Sequence, residues 1–366
     1  MARSRVYYNS LALYASQVSG TAQQTGVGNI LEIIRAQTFS DSFQRTLQSI
    51  LQYGTLAPID RVDVEPPSVT ANFSYYPVDF LNEKRLGFYV TPSGSTQLVT
   101  CLSGILTQVT DNKNYYLAIA DEGYDEHGYT QSQTGCIGLG NCFINNYEFS
   151  ASLGQVATST IGVDAFNVSV YSSVDGTNNV PSIDPANGQP ANASFLLPTG
   201  AQNQYAGQVS AIQPRDVVLN LAGNWGFEID TSNLKVSNFQ LTIPLAREPI
   251  NRLGSFFPTS QQIVFPVIAT INVDAEFGNL QNFELSDLLC SGESTLSFRF
   301  NKPVCGGSGD AAMIIVCSGA KIVSSNTDTA ISANGTTTCQ WEVAIGGLGD
   351  TQHGIFFSGS SPTGLL

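Results

Sequence analysis

Positive charge is in short supply. The chain has 15 Lys and Arg against 29 Asp and Glu, a net charge of −14 over 366 residues. No run of Lys or Arg occurs, which excludes a binder that grips nucleic acid through clustered basic residues. Charged residues of either sign make up only 12 %, too few for a coiled coil or a long helical bundle. No stretch approaches the roughly 20 apolar residues that span a bilayer as a helix. Leu11 to Ala15 is too short and broken for the apolar region of a secretory leader, so none is expected.

Histidine is nearly absent. His127 and His353 sit beside glycines in loop-like sequence, and any Ser-His-Asp or Cys-His arrangement would have to use one of them. There is no Gly-x-Ser-x-Gly, no Gly-Lys dipeptide and no His-Glu-x-x-His. Seven cysteines (Cys101, Cys136, Cys142, Cys290, Cys305, Cys317, Cys339) include no Cys-x-x-Cys pair, so zinc ribbons and thioredoxin-like sites are not indicated. Free thiols are expected. The acidic stretch from Asp121 to Glu126 fails the alternating spacing of a calcium loop and reads as a solvated loop. No catalytic, cofactor-binding or metal-binding residue is expected, and the chain is not expected to be an enzyme.

Glycine (34) and proline (16) are plentiful, and alternating apolar runs dominate, as in a β-rich protein with many turns. Sliding the sequence by 200 residues aligns two segments without a gap. Phe39 meets Phe239, Ile50 meets Ile250, Gly54 meets Gly254, Pro58 meets Pro258, Val64 meets Val264, Pro66 meets Pro266, Thr70 meets Thr270 and Asn72 meets Asn272. Paired glycines and prolines matter most, because turns rather than periodicity fix them. In each copy a strand leads to a predicted helical turn (Gln44 to Tyr53 and Arg247 to Leu253), stopped by Gly54 or Gly254, and then to a returning strand. Later strands are predicted at Tyr115 to Ala120, Phe143 to Leu153, Ser159 to Val170, Leu296 to Phe300, Met313 to Cys317, Ala320 to Ser325 and Thr337 to Ile345. The expected divisions are an N-terminal arm (1–29), copy one (30–171), a linker or long loop (172–215), copy two (216–348) and a C-terminal arm (349–366).

The run NFQLTIPLAREPINRLGS from Asn238 to Ser255, followed by IVFPV from Ile263 to Val267, resembles the tail tube (major tail) proteins of long-tailed bacteriophages. VEPPSV from Val64 to Val69, Asn82-Glu83 with Leu86-Gly87, Gly138 to Asn141, Leu153-Gly154, and Gly319 to Lys321 with Asn334 extend the resemblance over about 30–345. It implies a mainly β protein with two tandem tube-type β-sandwich or barrel domains, each with a short flanking helix. It further implies self-assembly into stacked rings in the virion tail, assembled in the host cytoplasm, with other tail proteins as partners. DNA would pass through the lumen without specific binding, and no membrane is involved. Three chains of two copies would preserve a pseudo-sixfold ring, while six chains remain an alternative. Arg247, Glu248 and Arg252, beside the predicted helical turn, are the candidate ring-interface residues. A second reading is a β-sandwich glycan-binding or adhesion module of a virion, using Tyr75, Tyr76, Tyr115, Tyr116, Tyr124 and Tyr129.

Overall fold

The computed structural model describes residues 11–17, 30–92, 99–107, 111–120, 124, 126, 135–174, 177–198, 211–222, 235–276, 293–302, 311–329 and 335–359. It is mainly β. The first half holds β1 (Leu11–Gln17), β2 (Ile30–Glu32), β3 (Ala36–Gln44), β4 (Leu47–Ile50), β5 (Asp60–Asp63), β6 (Ser68–Tyr75), α1 (Leu81–Leu86), β7 (Val90–Pro92), α2 (Ser103–Leu106), β8 (Lys113–Ile119), β9 (Gly135–Ser152), β10 (Thr158–Ala165) and β11 (Asn167–Tyr171). Two short strands, β12 (Ile183–Asp184) and β13 (Gln189–Pro190), pair with each other. The second half holds β14 (Val217–Ala222), β15 (Lys235–Pro244), β16 (Arg247–Ile250), β17 (Ser260–Ile263), β18 (Val267–Glu276), β19 (Ser294–Asn301), β20 (Ala311–Asp328), β21 (Thr336–Ile345) and β22 (Gly354–Gly359).

Two 18-residue strands organise the halves. The first part of β9 lies between β8 and β11, and its second part lies between β10 and β15. β20 likewise serves β19 and β22 with its first part and β21 with its second. Each long strand bends where its backbone turns left-handed, at Asn141 (φ 52°) and at Gly319 (φ 80°). Asn is one of the few residues other than Gly that visits this conformation, and here its Oδ1 accepts from Ile183 N, 42 residues away, at 2.6 Å. A side chain at 319 would be strained and would meet the His353 ring. Gly319→Ala is expected to cost about 1–2 kcal/mol, read as a lower urea midpoint with an unchanged slope.

Four strands of each half pair in matching registers. β3 and β6 pair as Phe39↔Phe73 and Ser40↔Asn72, with a bulge between Ala36 and Thr38. β15 and β18 pair as Phe239↔Val273 and Gln240↔Asn272, with a bulge between Val236 and Asn238. Both sets differ by the 200 residues seen in the sequence. A second offset, 178 residues, relates β9 and β10 to β20 and β21: Gly162↔Asn146 matches Ser324↔Gln340, and the ladder slips at Asn145 and at Val323 alike.

The halves do not form two separate cores. Residues from both join one cluster, in which Phe239 lies 5.9 Å from Phe149 and 4.0 Å from Phe298 between ring centroids. β22 runs parallel to β7 of the first half, and Phe357 stacks on Phe80 at 4.8 Å.

Several sequence expectations change. The predicted helical turns are β4 and β16, each the first strand of a hairpin closed by β5 or β17. Gly54 (φ 90°) and Gly254 (φ 87°) serve the hairpin turns instead of stopping helices. Proline early and glycine late suits either element, and the ladder to the returning strand decides. Met313 to Ser325 is one strand with a bend, and Ser159 to Val170 is two strands broken at Phe166. The expected arms contain β1 and β22, with Leu13 and Ile355 in the core. The expected linker is partly structural: Val180, Phe195 and Leu197 pack on Tyr14, Tyr116 and Cys136, covering the outer side of β1, β8 and β9. A flanking helix, α1, is present in the first half, while the matching stretch of the second half lies outside the described residues.

Candidate functional site

One face of the long sheet is polar across its full width. Eight strands lie side by side in the order β3, β6, β10, β9, β15, β18, β21, β20. Because side chains alternate along a strand, one set points to the core and the other away from it. A single cross-strand row runs Thr38, Ser74, Thr160, Glu148, Thr242, Thr270, Glu342, Lys321. The next row toward the β18 end carries Asn238, Asp274, Thr338 and Asn326. On the opposite side of the same strands sit Phe73, Ile161, Tyr147, Ile243, Ile271, Trp341 and Val343, all buried.

Negative charge on the polar face is held by neighbouring amides. Gln240 Nε2 donates to Glu148 Oε1 at 2.8 Å, Asn238 Nδ2 to Asp274 Oδ2 at 3.0 Å, and Asn145 Nδ2 to Asp164 Oδ1 at 2.8 Å. Partial burial raises the Asp164 carboxyl above its ordinary value, against the stabilising Asn145 bond. Lys321, beside Glu342 in the ladder, lies 3.6 Å from Glu293. The rows contain no arginine and no aromatic ring.

The centre of this sheet is the joint between the halves. β15 adds to β9 from Asn238↔Ser152 to Pro244↔Asn146. The sheet does not close on itself: among the described residues, β3 pairs only with β6, and β20 beyond Ala320 pairs only with β21.

Arg247 seals the joint. Nη1 and Nη2 donate to Asp111 Oδ2 and Oδ1, both at 2.7 Å, and Nε donates to Ile144 O at 2.9 Å. Its guanidinium sits 5.4 Å from the Phe143 ring centroid, and its side chain is 2 % exposed. Arg252 Nη2 donates to Ala186 O at 2.6 Å. Glu248 is exposed in β16. Arg247, chosen from sequence as a ring contact, thus joins the two halves within one chain, while Arg252 bonds to the segment between them. Asp111, the partner of Arg247, carried no sequence signal, since it lies 136 residues away.

Sequence reasoning also missed Glu83. This α1 residue is fully buried, and its Oε1 accepts from Tyr75 OH at 2.9 Å, Tyr147 OH at 3.2 Å and Ser159 Oγ at 3.5 Å. Burial pushes its carboxyl up to about 7.

The other candidates lie apart. Tyr75, Tyr115 and Tyr116 are core residues; Tyr124 is exposed, and Tyr129 lies outside the described residues. His353 Nε2 lies 3.1 Å from Glu293, and His127 lies outside the described residues. From the acidic stretch, Glu126 accepts from Tyr14 OH at 2.8 Å. Cys101, Cys136, Cys142, Cys317 and Cys339 are free and buried, and burial raises every one of these thiols; Cys290 and Cys305 lie outside the described residues. Among the described residues, no group of three His, Cys, Asp or Glu could hold a metal ion, and no helix is long and apolar enough to cross a membrane.

The chain matches no protein-family model and no curated protein.

Proposed function

We propose that this protein is a structural subunit of a hollow tube of the phage tail kind, a conduit for a passing nucleic acid. The observation that carries the reading is the β9–β15 joint: two halves with strands in matching registers sit edge to edge, and among the described residues the same two kinds of edge remain open at the ends. A rotation that repeats the joint generates a ring if it closes, and a closed heterologous ring has no free edge left. The polar face would then line the passage. Its Glu148, Asp164, Asp274 and Glu342 would repel a polyanion, whereas basic residues there would hold it by counterion release. Three chains would give a pseudo-sixfold ring, with other tail proteins capping the tube in the virion.

Electron microscopy and native mass of the purified protein test this. Rings or tubes built from three chains per layer support it, while a monomer at high concentration sinks it. The lining has its own test. Tubes carrying Glu148→Lys, Asp274→Lys and Glu342→Lys are expected to retain duplex DNA at low salt and release it as salt rises. Wild-type tubes are expected to retain none. Equal retention by both would remove those side chains from the lumen.

A further inference from the structure

We infer that the contact between chains is a copy of the contact within the chain, made by β3 of one copy on β20 of the next, in one defined register. The inference rests on the tube reading in one respect: the partner is a second copy of this chain.

The internal repeat supplies the register. β15 corresponds to β3 by 200 residues, and β9 corresponds to β20 by 178. Carrying the β15–β9 ladder across by these offsets sets Ser40 opposite Asp328, Ser42 opposite Asn326 and Gln44 opposite Ser324 on the polar face. On the other face it sets Asp41 opposite Thr327 and Phe43 opposite Ser325. Ser40 to Gln44 and Ser325 to Asp328 are exposed, and Ser324 is half-buried.

Burial points the same way. Phe43 is 66 % exposed, yet its counterpart Ile243 is fully buried at the internal joint. Leu47 is 38 % exposed, and its counterpart is Arg247. A single large apolar side chain on a free strand edge invites aggregation unless a partner covers it.

The two joints are not chemically alike. Inside the chain, Arg247 meets Asp111 and the Phe143 ring. Between chains, the positions corresponding to Arg247 and Phe143 are Leu47 and Lys321, by the offsets of β15 and β9. Leu47 carries no charge, so the ion pair of Arg247 has no counterpart there. The joint between chains is therefore held by apolar burial of Phe43 and Leu47 together with the strand ladder. Assembly is expected to survive 1 M NaCl, where an ionic joint would be screened.

Paired cysteines read the register directly, because facing residues of antiparallel strands come within disulfide reach. Full-length Ser42→Cys/Asn326→Cys and Asp41→Cys/Thr327→Cys chains are oxidised after assembly and run without reductant. At least one of these adjacent pairs is expected to give a ladder ending at the ring oligomer. The single variants, the wild type and the slipped pair Ser42→Cys/Ser324→Cys are expected to give none. Phe43→Asp, at an exposed position that leaves the monomer's melting unchanged, is expected to raise the critical concentration for assembly roughly tenfold or more. Tubes that form without either cross-link, or a Phe43→Asp protein that assembles normally, overturn this joint and leave the tube reading standing. Wild-type protein that stays monomeric overturns both.

Discussion

Arg247→Met is expected to destabilise the chain by about 3–5 kcal/mol, the range for removing one partner of a buried ion pair. The cost comes mainly from what is left behind. Asp111, whose side chain is 15 % exposed, would lose both its guanidinium bonds with little water to replace them. The Ile144 carbonyl would lose its donor as well. Adding Asp111→Leu to Arg247→Met is expected to recover a large part of the loss, because two apolar groups need no charge compensation. Urea midpoints of the wild type, both singles and the double variant give the coupling. Strict additivity across that cycle would mean that the two residues do not interact.

Stability is expected to fall as pH rises from about 4.5 to about 7, and Glu83 is the cause. Its carboxyl titrates near 7 in the folded chain, raised first by burial, against an ordinary value of 4.5. Between those values the folded state holds the proton more tightly than the unfolded state does, so each step up in pH favours unfolding. The difference corresponds to about 3 kcal/mol, present below pH 4.5 and gone above pH 7. Burial holds the Tyr75 and Tyr147 hydroxyls well above their ordinary values, so both remain donors throughout this window. Asp79 adds a small repulsion in the same direction. Oε2 of Glu83 has no partner and is buried, which suits a neutral group better than a charged one. Buried Lys113, brought down to about 8 by burial, has the opposite sign: it makes stability rise between about pH 8 and 10.5. Thermal unfolding of wild type and Glu83→Gln from pH 4.5 to 8 is the measurement. The amide should flatten the slope and stabilise the chain at pH 8 by about 1–3 kcal/mol. A slope unchanged by the amide would assign it to other groups.

Strands were legible where alternation was clean, as from Asn238 to Leu245, but the alternating run from Ile263 to Val273 hides a break at 264–266, where β17 ends and β18 begins in another sheet. The repeat was legible because turn residues had been kept at equal spacing. The hairpins were misread as helical turns because Pro249 and Gly254 mark boundaries of either element, and four-residue strands carry too little periodicity to decide. Strand β1 was missed because its mixed sequence looks like an arm, and only its ladder to β8 makes it core. The polar face was not legible, since its carboxylates come from separate strands and look ordinary one at a time. Arg247 was picked out by its charge, but its role depends on a partner that only the folded chain brings near.

The parallel pairing of β22 with β7 has a consequence for synthesis. Phe80, Phe88 and Tyr147 of the first half keep a bare flank until Phe357 arrives, with ring centroids 4.8, 5.9 and 5.6 Å from it. The earlier module therefore cannot finish folding while it is still being translated. A nascent chain that has already exposed the edge of β3 still lacks this part of its own interior. The interior of the first half is therefore closed only once β22 has left the ribosome.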